Sequence, residues 1–523
     1  MADEPRPSVL NPPNRVLLAG LAALPLGVLL LTLLQPGYGY FIDEFYYIAC
    51  AKRLAWGYVD HPPLAPALLA VTRTVLGDSV LAIRLAAFLG MSATVWVTGL
   101  IVRRLGGGTL ATVVAGLGIG LSPVLLVMSS FYSMNAFEPL LWSLTVLVLI
   151  TLIQDDRPRL WLVAGALIGL AFENKHTVIL YVAALAAGVS LTRTRRVLAS
   201  GWLWAGIGVA ILLAVPNILW QVFHGWPSIE FYRNAQLLKN VPSTPSQSLV
   251  MQVLVTNPIA APIWIAGLVY LFVHRDARNL RFLGLLFVVL LALHVVSRTS
   301  RPDRIASAYP VLLAAGAVAF ERGVSLLRAR HAATARALAI GWPALMLASS
   351  AVILPGALPL LPPPTEARYT QALGLTRQAE RGKSAPLPQL IADRTGWESF
   401  VDDMARAYRE LPEADRAKAV FYAPSYGQGG ALELLGPSRG LPNRVIASQN
   451  TYWHWSVGRT NTDVLIAVDV DPNALRQLFA EVREVGRVRC DYCMNWRNNV
   501  SIYVARRSIV PIDTVWAGAR HYE

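Results

Sequence analysis

The sequence predicts a polytopic α-helical membrane protein that ends in a small α/β domain. Three observations carry this reading. Of 523 residues 54% are apolar and only 15% charged, where soluble chains average about 25% charged. Apolar runs long enough to approach or cross a hydrocarbon core of about 30 Å recur through the first 358 residues and then stop. Beyond them, short apolar runs alternate with amphipathic stretches, the pattern of a folded domain. Three cysteines exclude a disulfide-stapled scaffold, and 38 Gly with 34 Pro are too dispersed for a collagenous or wholly disordered chain.

Eleven helices are expected near 16–34, 80–102, 109–128, 139–153, 160–172, 177–191, 201–221, 258–273, 282–297, 305–320 and 337–358. The first is followed by many further spans and by no small-residue cleavage site, so it is expected to stay attached as an anchor. Loops after the even-numbered spans, from Arg103-Arg104 to Arg322 through Arg336, hold 14 Lys/Arg against 9 in the far longer opposite loops. The positive-inside rule places them in the cytoplasm. The net charge of +14 is then largely a record of orientation in a cell inner (plasma) membrane, and no nucleic-acid partner is implied. Eleven crossings put residues 359–523 outside the cytoplasm. The expected division is a membrane domain, 1–358, and an extracytoplasmic α/β domain, 359–523, joined by the Pro-rich segment 355–364. In the latter, 419–423, 445–447, 464–468 and 500–505 read as strands, while 397–410 and 473–484 read as amphipathic. No internal repeat at a fixed period is evident, which weakens an inverted-repeat transporter.

The informative charges lie on the expected outer side. Between the first two spans runs Tyr40-Phe41-Ile42-Asp43-Glu44-Phe45-Tyr46-Tyr47, then Trp56-Gly57-Tyr58-Val59-Asp60-His61-Pro62-Pro63-Leu64. Asp43 can N-cap a helix ending near Trp56-Gly57, and Pro62-Pro63 can open a second from about Leu64 to Leu76. Both would lie on the membrane surface. An Asp-Glu pair among aromatics at a membrane boundary is costly and points to function, although Glu44 can equally face water. Glu138 stands where a helix N-terminus favours a carboxylate. Glu173-Asn174-Lys175-His176-Thr177 breaks a long apolar stretch and suits an anion such as phosphate, against the plainer reading of a snorkelling lysine. His224 lies in Trp220…His224-Gly225-Trp226-Pro227, which opens a loop able to cover a site. Arg298 through Arg304 runs against the charge bias and fits either lipid headgroups or a substrate phosphate.

The Asp43-Glu44 pair, the segment 57–64, Lys175 and the Trp220…His224-Gly225-Trp226 run resemble bacterial glycosyltransferase family 39, membrane GT-C enzymes similar to protein O-mannosyltransferases and to the aminoarabinose transferases that modify lipid A. The resemblance extends to Tyr309-Pro310, to Tyr426-Gly427-Gln428-Gly429-Gly430-Ala431 and to Asn450-Thr451-Tyr452-Trp453-His454-Trp455. It implies a GT-C fold and an inverting transfer, outside the cytoplasm, of a hexosyl or pentosyl group from a polyprenyl-phosphate donor to a hydroxyl of an envelope acceptor. In that reading Asp43, with Glu44 beside it, is the base. Asp60, His61, Glu138, Lys175, His176, His224, Arg301, Arg304 and Tyr309 bind substrate. No cofactor is required. In the aminoarabinose branch a divalent metal sits between a carboxylate and a later histidine, for which Asp60 and His224 are the weak counterparts here. That branch also has a lysine where this chain has His61, and many relatives have Asp where it has Glu138. A transporter or flippase of lipid-linked sugars is the rival function.

Cys490-Asp491-Tyr492-Cys493 has redox or half-zinc spacing, but no second pair exists for zinc and no helix opens beside it in sequence. A local disulfide and two structural thiols both remain open, and Cys50 reads as packing. Tyr452 through Trp455 can stack on a sugar or fill the domain core.

Overall fold

The structure, a computed structural model, describes residues 15–375 and 380–523. The chain divides into two compact units. The first contains the described part of Met1–Leu34, with Arg84–Ile218 and Pro242–Leu358; the second contains Gln35–Ile83, Leu219–Val241 and the described part of Pro359–Glu523. The second unit therefore draws the first long loop and a short mid-chain segment together with the C-terminal residues.

All eleven expected apolar segments are helical. Among the described residues six helices are long and apolar enough to cross a membrane, or eight if each of two bent pairs is one span. Arg15–Leu31, Leu160–Asn174 and Ala261–Val273 are apolar but shorter. The expected helix at 109–128 is broken into Thr109–Gly120 and Pro123–Ser129, bent by 56°. The cause is local. Pro123 has no N–H to continue the ladder, and Ser122 before it is extended, at ψ 118°. Close packing in this unit relies on small residues. A Cβ on Gly267 would overlap the Leu312 carbonyl and one on Gly316 the Ile263 carbonyl, so Ala261–Val273 and Tyr309–Arg328 meet backbone to backbone.

In the second unit the helices Ile42–Lys52 and Leu64–Leu76 form the first loop. The second has the bounds read from Pro62-Pro63; the first stops at Lys52, short of Trp56-Gly57, and its N-cap is Phe41 in place of Asp43. The C-terminal part carries a five-stranded sheet of β1 (Val420–Ala423), β2 (Val445–Ala447), β3 (Val464–Val468), β4 (Phe479–Val488) and β5 (Val500–Ser508), in the order β2-β1-β3-β5-β4. The first three strands are parallel, and β5 and β4 add antiparallel. Ile446, Leu465, Ala467, Phe479 and Ala505 fill its core with Trp516. The stretch 473–484 is only half helical. Pro472–Leu478 is a helix, and the charged residues after it form the edge strand β4. Pairing with β5 overrides a pattern that reads as a solvated helix face, because an edge strand tolerates charges on its open side.

Candidate functional site

Asp43 is the second residue of Ile42–Lys52 and Glu44 the third, about 100° further round the helix. That turn separates their roles. Glu44 is fully buried and accepts from the Phe41 N–H at 2.7 Å, so its carboxylate closes the helix start. Asp43 is partly exposed and accepts from the Tyr426 hydroxyl at 2.7 Å. Burial pushes the Asp43 carboxyl above its ordinary range; the Tyr426 hydrogen bond and Lys239 oppose that shift, while Asp60 and Glu380 add to it. A carboxyl raised in this way is a stronger proton acceptor near neutral pH than a solvated one.

Tyr426 opens the helix Tyr426–Leu435, and its neighbours explain how it comes so close. A Cβ on Gly427 would overlap Ile42, and one on Gly430 would overlap Phe45. The Gly-rich string singled out in the sequence is thus the surface on which the Asp43 helix lies. Gln449 accepts from the Tyr426 N–H at 3.0 Å and fixes its backbone.

Asp60, also partly exposed, accepts from the Tyr46 hydroxyl at 2.7 Å, and the Tyr46 and Tyr426 rings lie 4.9 Å apart. The loop before it is held from two sides. The Val59 N–H donates to the Thr451 hydroxyl at 3.0 Å, and the Val59 carbonyl accepts from Ser228 at 2.8 Å. Two carboxylates and two tyrosines therefore share one rigid patch of the second unit. Tyr46, Tyr426 and Thr451 are functional candidates that residue-by-residue reading missed. Their signal was present only as members of the aromatic and Gly-rich strings.

Other expected contacts in this unit do not form. His61 is fully buried; its ring stacks on Tyr47 at 4.6 Å, with Nδ1 3.0 Å from the Pro62 carbonyl and Nε2 3.8 Å from Cys50. It is a core histidine with no face left for a phosphate. His224 is exposed and stacks on Trp220 at 4.0 Å, its Nδ1 lying 2.8 Å from the Trp220 carbonyl. Asp60 is held by Tyr46 and His224 by Trp220, and among the described residues no group of three or more His, Cys, Asp or Glu is arranged to hold a metal ion. Tyr452 donates to Glu433 at 3.1 Å, and Arg53, paired with Glu433, lies over the Trp455 ring, so this run fills the interior.

The first unit contains a second cluster. Glu138 opens the helix Glu138–Gln154; its oxygens accept from Lys175 at 2.8 Å and Thr177 at 2.6 Å. Both partners of the ion pair are buried, and with Trp142, Ala171, Val178 and Tyr181 they line a small cavity. One of the three ammonium donors of Lys175 goes to Glu138. His176 lies 2.9 Å from the Asn217 side chain. Arg301 donates twice to Asp303, at 3.1 and 3.3 Å, and the Arg304 carbonyl accepts from Tyr181. Tyr309 is set apart from these charges. It is 1% exposed, donates to Gln252 at 2.7 Å and is flanked by Trp264 and Phe287, so it packs helices together and offers nothing to a substrate.

A family model described as dolichyl-phosphate-mannose-protein mannosyltransferase matches residues 60–220. The fold aligns with ArnT from Cupriavidus metallidurans bound to undecaprenyl phosphate, with a TM-score of 0.59 and 17% identity over 94% of this chain and 97% of that one. The chain has an ArnT-like GT-C fold, and residues 60–220 resemble that mannosyltransferase family. The chain is also 28% identical over 191 residues to the lipid A galacturonosyltransferase RgtD of Rhizobium johnstonii, a match spanning 35% of this chain and 39% of that protein. It aligns more loosely with the oligosaccharyltransferase AglB of Archaeoglobus fulgidus, in complex with an inhibitory peptide and a dolichol-phosphate, at TM-score 0.50 and 11% identity over 87% of this chain and 69% of that one. The stretch matched by the family model contains Asp60, Glu138 and Lys175; Asp43, Tyr426 and the Arg301–Asp303 pair fall outside it.

Proposed function

We propose that the protein is an integral-membrane inverting glycosyltransferase that moves a sugar from a polyprenyl phosphate to a hydroxyl acceptor in the cell envelope. The observation that carries this reading is Asp43, a partly exposed carboxylate at a helix start, raised by burial and aimed by Tyr426 at 2.7 Å. An acceptor hydroxyl is a weak nucleophile near neutral pH, so its proton must leave as it attacks C1 of the sugar. Asp43 takes that proton. The leaving polyprenyl phosphate gains charge as its bond breaks, and Lys175, with Arg301 and Arg304, stabilises it. A single displacement uses no enzyme nucleophile and inverts the anomeric centre. Among the described residues no group of three or more His, Cys, Asp or Glu is arranged to hold a metal ion, and no step is routed through one.

Eleven crossings would place this chemistry and the C-terminal residues outside the cytoplasm, in keeping with the arginine-rich opposite loops. Three of the four shorter apolar helices among the described residues, Arg15–Leu31, Leu160–Asn174 and Ala261–Val273, would complete the count with their flanking loops. The transporter alternative is not favoured, because the proteins this chain resembles are named as transferases. The test is to incubate the purified protein with a panel of polyprenyl-phosphate pentoses and hexoses and an envelope extract. Release of polyprenyl phosphate with an inverted product is expected; movement of intact lipid-linked sugar without hydrolysis or transfer would overturn the reading.

Tyr426→Phe gives a sharper expectation. The tyrosine hydrogen bond lowers the Asp43 carboxyl, against the upward push of burial, Asp60 and Glu380 and alongside the downward pull of Lys239. Activity needs the ionised form and is lost as pH falls through the folded value. Deleting the hydroxyl moves that acid limb to higher pH, while the alkaline limb stays. An unchanged acid limb would remove Tyr426 as a positioning residue without touching the assignment of Asp43.

A further inference from the structure

Cys490 and Cys493 are free thiols in the loop that follows β4. Cys490 is partly exposed and Cys493 buried. Although no helix opens beside them in sequence, one is supplied from elsewhere in the chain. The Cys490 sulfur rests on Gly396, the N-cap of the 13-residue helix Trp397–Arg409. Gly396 has φ +75°, and any Cβ there would overlap that sulfur. Glycine is therefore needed both for the turn and for the seat of the thiol.

The surroundings favour a thiolate. Helix starts carry partial positive charge. Arg497 adds a full one, held by the Thr395 and Ala392 carbonyls at 3.1 and 3.2 Å and lying over the Trp397 ring at 3.9 Å. Asp393, 3.8 Å from Arg497, partly offsets it. The Thr395 hydroxyl lies 4.0 Å from the Cys490 sulfur. The Cys493 thiol donates to the Cys490 carbonyl at 3.4 Å. That contact keeps the Cys493 thiol beside Cys490, with two residues between them in the loop.

We propose that Cys490 and Cys493 form a reactive dithiol that exchanges with small-molecule disulfides, Cys490 as the attacking thiolate and Cys493 as the resolving thiol. Cys490 attacks one sulfur of the external disulfide; a mixed disulfide forms and the first external thiolate leaves. Cys493 gives its proton to solvent and attacks the Cys490 sulfur, expelling the second thiolate. The protein dithiol is oxidised to a disulfide, and one external disulfide is reduced to two thiols. The order of attack follows from the two environments. The adjacent Cys493 thiol, neighbouring backbone groups and Arg497 hold the Cys490 thiol down, to about 6, against the upward push of burial, while the adjacent Cys490 thiol and burial push Cys493 up.

The test uses the full chain in detergent, with alkylation by iodoacetamide followed by mass spectrometry. The readout is the pH midpoint, since a thiol near 6 gains thiolate over one near 8.5 but loses about 10-fold in intrinsic nucleophilicity. Cys490 is expected to label with a midpoint near pH 6, and Cys493 only at much higher pH. Buried Cys50 serves as the unlabelled reference. Equilibration with glutathione disulfide should leave the peptide spanning 490–493 lighter by two hydrogens, reversibly with dithiothreitol. Cys493→Ser should raise the Cys490 midpoint. A wild-type midpoint at 8 or above, or no internal disulfide after glutathione disulfide, overturns the proposal whether or not the variant folds.

Discussion

Asp43→Asn is expected to lower sugar transfer by about 10²- to 10⁴-fold, the range typical of a lost general base, while donor KM changes little and the protein stays folded. Asparagine keeps the shape of the side chain and an oxygen able to accept the Tyr426 hydroxyl, now at 2.7 Å from Asp43. What it lacks is affinity for a proton. The stability side has a definite sign. Burial raises Asp43 in the folded state, so the native protein holds that proton more tightly than the unfolded chain does. Stability from this group is full below the unfolded value, near 4, and is lost as pH rises through the higher folded one. At pH 7 the charged side chain is therefore a cost, and replacing it with a neutral isostere leaves Tm unchanged or raises it. Steady-state turnover with a polyprenyl-phosphate sugar and a thermal melt on the same preparation check both halves. A folded Asp43→Asn protein with full activity would remove Asp43 as the base. Such a result would leave the sugar-transfer reading itself to be judged by the donor panel.

The contrast between Asp43 and Glu44 shows where sequence reading stops. Adjacent acids in an aromatic run mark a place where charge is expensive, and that much is written in residues 40–47. Their division of labour comes from helix phase. Position two of the helix aims at Tyr426, 383 residues away in the chain, and position three folds back on Phe41. No spacing rule reaches across that separation. The same limit explains His61 and Tyr309. Both sit in motif-like strings, yet stacking on Tyr47 and packing against Trp264 and Phe287 bury them. The helical segments were legible because apolar length is a property of the local chain. The break at Ser122-Pro123 was written there too, in the proline, but apolar continuity obscured it. Edge strand β4 was not legible, since its partner β5 decides its state.

Lys175→Met is expected to lower transfer by about 10²- to 10³-fold, the usual effect of losing one preorganised stabiliser of developing negative charge. By itself that variant does not separate chemistry from folding. Lys175 and Glu138 are buried against each other at 2.8 Å, and removing one partner of such a pair costs about 3–5 kcal/mol because a charge is left uncompensated. The second substitution resolves the two. Lys175→Met with Glu138→Gln deletes both charges, keeps a side-chain oxygen for the Thr177 hydroxyl that now donates at 2.6 Å, and removes the uncompensated carboxylate. Its melting temperature is expected to return close to that of the natural protein. Its transfer rate is not, because the positive charge that meets the leaving phosphate is still missing. Recovery of both stability and transfer in the double variant would mean that Lys175 serves Glu138 alone, and the phosphate would then have to be stabilised by Arg301 and Arg304. Recovery of stability with transfer still depressed is what a lysine acting on the donor requires, and the ratio of the two rates measures how much of the single-variant loss was structural.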